Sequence, residues 1–324
     1  MHNLSSAEIS RYAKTIEVSK RVRWEIERDV IRGRAFDFSK AFLPSGLSLV
    51  AEIDFLRADE RLIYSQVQGR TYAYMFGLVE RFITAKAMEL CQAQALGDQT
   101  ALEALLRMVD EEVKHQALFR QLEQTMAATM PGGHTSTADP DAVAQAVLCN
   151  SPWAVLALIL DIELFSQAHY RASIEPEASL CPLWKDVFLF HWREESQHAI
   201  LDELEFVREN AGVTAAERDI GVDQLIGLVG AVDGIVQAQA AADTAYFCAI
   251  AGRVFDSTQR ELIGATMLKA YRWQYIVSGA MEPRFQAALF GCLDATQAQR
   301  IQNALAPLSY AVPSHPEVAL PMAA

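Results

Sequence analysis

The sequence lacks what a disulfide framework or a zinc ribbon needs. Its five cysteines, Cys91, Cys149, Cys181, Cys248 and Cys292, are scattered and odd in number, and no Cys-x-x-Cys pair occurs. Basic charge is scarce. Against 41 Asp and Glu there are 28 Lys and Arg, a net charge of -13. That balance argues against nucleic-acid binding through phosphate neutralisation and against a polybasic membrane dock. Long apolar runs are missing too. The longest strong one, residues 154–160, is far below the ~18 residues of a membrane span. The N-terminal stretch has no apolar signal core and soon carries Glu8. No flavin or nicotinamide fingerprint is present. The expectation is a cytoplasmic protein with no nucleic-acid or membrane partner.

Proline is also missing where it matters. None falls between residues 45 and 130, or between 183 and 282. Both intervals show helical apolar periodicity rather than strict alternation. The spacing predicts helices over about 6–33, opened by Ser5-x-x-Glu8, then 57–95, 99–129, 141–174 with a bend near Pro152, and 182–211. Further helices are expected over about 214–251, 256–290 and 294–306. With 51% hydrophobic residues, the chain can bury a large core. It reads as all-α: one helical domain over 1–310, a four-helix bundle at about 57–211 with added N- and C-terminal helices, and an irregular tail over 311–324.

Against that helical background one chemical word occurs twice. Residues 110–117 read DEEVKHQA, and residues 191–199 read HWREESQHA. Both contain Glu-Glu-x-x-His: Glu111, Glu112 and His115 in the first, Glu194, Glu195 and His198 in the second. A carboxylate and an imidazole three residues apart on a helix share a face and can grip one cation. A lone Glu-x-x-His is weak, because both residues are common on helix surfaces. Here, however, each intervening helix supplies a glutamate from an apolar face. Glu80 lies in line with Gly69, Ala73, Phe76, Gly77 and Ile83, and Glu163 with Leu156, Ile159 and Leu160. An unpaired charge there would cost several kcal/mol. The plain alternative is an edge glutamate paired to an arginine such as Arg81.

The order Glu, Glu-x-x-His, Glu, Glu-x-x-His is the ligand arrangement of ferritin-like di-iron carboxylate proteins. Carboxylates bridge hard cations, imidazole suits iron, and open positions remain for dioxygen. His191 adds a third histidine one turn before Glu195. This H-x-x-x-E-x-x-H pattern resembles the p-aminobenzoate N-oxygenase family, over roughly residues 60–210. The resemblance implies two iron ions, with manganese–iron also compatible. It implies the ligand set Glu80, Glu112, His115, Glu163, His191, Glu195 and His198. It also implies a soluble, often dimeric enzyme that uses dioxygen and an external electron donor to oxidise a small amine.

Hydroxylation or desaturation of C–H bonds would use the same metals, and a ferroxidase or storage protein is the alternative outside oxygenase chemistry. In related bundles the acidic residue before each metal glutamate accepts the free N–H of the opposite histidine. That pairs Glu194 with His115 and Glu111 with His198, with Asp202 and Asp110 as alternatives. His169 lies off the Glu163 face and is taken as a non-ligand. The Gly69, Ala73, Gly77 ridge and the segment carrying Arg272 and Tyr275 are taken as packing surfaces.

Overall fold

The structure, a computed structural model, describes residues 6–314. Among the described residues the chain is all-α, with no strand. The elements run α1 Ser6–Arg21, the single turn α2 Ser45–Ser48, α3 Ala58–Gln94, α4 Gln99–Thr129, α5 Pro140–Leu148, α6 Pro152–His169, α7 Pro182–Gly212 and α8 Ala215–Ile250. They continue with α9 Ser257–Arg272, the short α10 Ser278–Ala280, α11 Pro283–Phe290 and α12 Ala295–Leu305. Three π-helical turns interrupt the series, at Ile26–Ile31, Tyr170–Ile174 and Trp273–Val277.

The long helices α3, α4, α6 and α7 form a ferritin-like four-helix bundle. Helix α3 packs along α4, α6 along α7, and α4 meets α7, while α1 lies across α4 and α7. Helices α8, α10 and α11 pack on α6, α8 also meets α3, and α9 and α12 pack on α8. Helix α6 is apolar all round. Trp153 through Leu160 are all buried, so this helix sits in the interior rather than on an edge. That placement puts Glu163 in a dry environment.

Local chemistry explains where helices start. Asp98 accepts from the Thr100 and Ala101 amides to cap α4, and Thr214 with Glu217 forms a capping box on α8. Three expected helices are broken in the structure. The stretch expected over 141–174 is two helices, because Ser151 accepts from the Ala154 amide and Pro152 takes the first helical position, which starts a new helix. The expected 256–290 helix stops and restarts at Pro283, capped by Glu282.

The expected 6–33 helix ends at Arg21 and resumes only as the π turn Ile26–Ile31. Between them Trp24 turns inward and is 3% exposed. Burial of a large aromatic ring there outweighs helix continuity. Ser5, His2, His315 and the tail residues 315–324 lie outside the described residues. Residues Ala306–Ala311 form a 3-10 turn.

Two glycines on α3 allow close packing. A Cβ on Gly69 would lie 2.6 Å from Phe42 Cβ, and one on Gly77 would lie 3.1 Å from Phe119 Cβ. The small-residue ridge is therefore filled by aromatic rings. Among the described residues one helix, α8, is long and apolar enough to cross a membrane by length and composition. It reaches that level through an even spread of Gly, Ala, Val and Ile rather than through one uninterrupted run. Its most apolar stretch is 28% buried.

Candidate metal centre

Four helices deliver the site. Helix α3 carries Glu80, α4 carries Glu112 and His115, α6 carries Glu163, and α7 carries His191, Glu195 and His198. All seven are at most 3% exposed. The three- and four-residue spacings place the side chains of each helix on one inward face.

The atoms converge. His115 Nδ1 lies 2.8 Å from Glu195 Oε1, 3.8 Å from Glu80 Oε1 and 4.0 Å from Glu112 Oε1. His191 Nε2 lies 3.0 Å from both Glu80 Oε1 and Glu195 Oε1. His198 Nδ1 lies 2.8 Å from Glu112 Oε1 and 3.2 Å from Glu195 Oε2. Two four-residue groups result: Glu80, His115, His191 and Glu195, and Glu112, His115, Glu195 and His198. In each, the ligand atoms lie within 4.8 Å of one another. Glu163 stands in neither group. It is hydrogen-bonded to Glu195 and feels the charges of Asp202 and Glu112.

Several of these close atoms are nonetheless orphans. Glu80 Oε2, both Glu112 oxygens, His115 Nδ1, Glu163 Oε2 and Glu195 Oε1 are buried without a hydrogen-bond partner. His115 Nδ1 and Glu195 Oε1 sit 2.8 Å apart as a close ion-pair contact. Buried polar atoms seldom stay unpaired, since each costs about 1–3 kcal/mol. Lone pairs that converge on shared space rather than on each other are what a cation satisfies. The donor set, carboxylate and imidazole only, suits iron or manganese. The cluster is able to hold a pair of metal ions.

The far sides of the rings are fixed. His115 Nε2 meets Glu194 Oε2 at 2.9 Å, and His198 Nε2 meets Glu111 Oε2 at 2.9 Å. Glu111 also accepts from Ser19 Oγ at 2.7 Å and from Gln197 Nε2 at 2.6 Å. Glu194 accepts from Lys114 Nζ at 2.5 Å. With Nε2–H donated outward, each Nδ1 is left to face the cluster. Asp110 is instead on the surface beside Arg23. Asp202 is buried with Oδ2 unpartnered. Arg81 pairs with Asp141, not with Glu80. His169 is held by Tyr72 at 2.9 Å and Ser278 at 2.8 Å, away from the cluster.

The negative charge of the cluster favours protons on several of its own groups. Burial alone would lower His115, but Glu195, Glu194 and Glu112 lift it to about 9. His198 rises well above the usual imidazole value despite burial, driven by Glu195, Glu111 and Glu112. Burial raises Glu163 well above the usual carboxyl range, with Glu195 adding. Burial pushes His191 down to about 4 against the pull of Glu195.

Sequence reasoning missed Trp24, whose ring stacks on His115 at 5.9 Å and 11°. Lys114 Nζ lies 3.9 Å over the Trp24 ring. Lys114 was visible inside DEEVKHQA; Trp24, 91 residues away in the chain, had no local signal.

No family model matches the chain, and no curated protein matches it. Among solved structures the chain is similar to a variant of an R2-like ligand-binding oxidase with an aerobically reconstituted Mn/Fe cofactor. That match has 14% identity and a TM-score of 0.44, over 82% of this chain and 92% of the other. A second variant, with a non-activated Mn/Mn cofactor, matches at 13% identity and a TM-score of 0.44, over 85% of this chain and 98% of the other. The functional reading rests on the side chains of the cluster.

Proposed function

We propose that the protein is a non-haem di-iron oxygenase, with N-oxygenation of a small amine as its reaction. The observation that carries the reading is the convergence of six buried ligand-type side chains, with Glu163 beside them, in which several inward-facing atoms, both Glu112 oxygens and His115 Nδ1 among them, have no hydrogen-bond partner. Glu80, His115 and His191 would hold one ion and Glu112 and His198 the other, with Glu195 between them and Glu163 beside Glu195. Four carboxylates balance two divalent cations. When bound, the metal pair supplies dioxygen activation.

The chain's own residues do the rest. Glu111 and Glu194 hold His198 and His115 in the tautomer that presents Nδ1 inward. The protons that His115, His198 and Glu163 carry without metal leave when ions enter, so metal binding releases protons. Phe76 and Phe119 stand 5.2 and 5.1 Å from the His191 ring and keep water from that side. The third histidine supports the amine reaction over C–H hydroxylation or desaturation. Electrons would come from an external donor.

The test is to load metal-free protein with ferrous iron under argon, count iron per chain, then admit dioxygen with a panel of arylamines. About two irons per chain and hydroxylamine or nitro products are expected. Products oxidised only at carbon would replace the amine reading with the hydroxylase one. Many irons per chain would point to storage. No stable iron, or a full complement in Glu112→Ala, would end the metal reading.

A further inference from the structure

Across α6 from the metal cluster lies a second concave site. Asp161 is two residues before Glu163, about 200° away around the helix, and faces the C-terminal helices instead of the bundle interior. It lines a pocket partly open to solvent, with Leu225, Val229, Tyr275, Phe285 and Ile301 among its walls. Every other lining side chain is apolar. Asp161 Oδ1 is buried with no hydrogen-bond partner, and no basic side chain pairs with Asp161 among the described residues. Tyr275 is 8% exposed, and its hydroxyl also has no partner.

The local backbone accommodates both groups. A Cβ at Gly279 would collide with the Asp161 carboxylate, so glycine there admits the acid. Tyr275 sits in the π turn Trp273–Val277, a type of distortion frequent at functional sites. The charged group the pocket offers is thus the Asp161 carboxylate inside an apolar wall. Glu282, the neighbouring charge that Asp161 feels, is acidic as well. Nothing there would hold an anion. The chemistry matches a ligand with an apolar body and a charged N–H donor.

We propose that this pocket binds a small hydrophobic primary amine, its ammonium group on Asp161 and its hydrocarbon against α8, α11 and α12. The site is separate from the metal cluster and does not rest on the oxygenase reading.

The test uses the full chain, metal-free and iron-loaded, titrated by calorimetry with 4-phenylbutylamine, 4-phenylbutanol and 4-phenylbutanoate. The amine should bind at one per chain in both forms, at least tenfold tighter than the alcohol, with no binding of the acid. Asp161→Asn should reduce the amine to the alcohol's affinity. Ala304→Trp, filling the pocket from a half-buried wall position, should abolish both. Ile226→Trp on the α8 wall serves if that variant does not fold. Iron content should match the parent in each folded variant. The proposal is overturned if the three probes bind alike or if the amine is unaffected by Asp161→Asn. It is also overturned if amine binding is lost in Glu112→Ala while Asp161→Asn retains it, which would place the amine at the metals. Metal content and amine binding by metal-free protein report the two readings separately.

Discussion

Stripping the metals should make stability depend on pH in a defined direction. His115 is raised from 6.5 to about 9 in the folded chain. A raised imidazole contributes stability that is fully present below its unfolded value and is lost as pH rises through its folded value. At 1.36 kcal/mol per pKa unit, the loss between pH 6.5 and 9.5 is on the order of 3 kcal/mol from this residue. His198 and Glu163, both raised, act in the same direction.

His191 and His169, lowered by burial to about 4 and about 3, act at the other end. Their stability is present above 6.5 and lost as pH falls. The metal-free protein should therefore lose stability as pH rises above 6.5. The assay is urea denaturation of chelator-treated protein at pH 6.5, 7.5, 8.5 and 9.5, followed by circular dichroism. Iron-saturated protein, whose ligand imidazoles carry no cluster-facing proton, should hold its stability better over the same interval. The same tyrosines and cysteines are present in both forms and largely cancel in the comparison. A flat profile for the metal-free protein would refute the idea that protons replace cations in the cluster.

Other perturbations separate supporting residues from ligands. Glu111→Ala or Glu194→Ala removes the acceptor behind one imidazole and should weaken metal affinity about 10–100-fold, read by competition with a chelator. His191→Ala should still bind two metals but change the rate and products of dioxygen consumption; unchanged products would remove the support that the third histidine gives to amine chemistry. Gly69→Ala forces a Cβ against Phe42 and should cost about 1–3 kcal/mol by overpacking, with metal content retained; a neutral denaturation midpoint would show that the Phe42 loop yields.

The bundle was readable because its signals are local. Asp98 and the Met-Pro-Gly-Gly stop bracket α4, and the structure runs it over Gln99–Thr129, the expected interval. The repeated Glu-Glu-x-x-His words are local too, and a 3.6-residue period is enough to turn their side chains inward. Glu80 and Glu163 stood out as charges on apolar faces. What could not be read depends on tertiary contact. Trp24 leaves its helix to cover a ring 91 residues away. The π turns have no composition of their own. Asp161, an ordinary helix-surface residue in the sequence, became notable only when Gly279 and the C-terminal helices closed over it.

Crystals of protein loaded with iron and manganese, measured at both absorption edges, test the metal pair most directly. Two anomalous peaks are expected inside the bundle, each about 2.0–2.3 Å from an imidazole nitrogen, one facing His115 Nδ1 and His191 Nε2 and the other facing His198 Nδ1. An empty cluster at saturating metal, or peaks only at surface carboxylates, would contradict it.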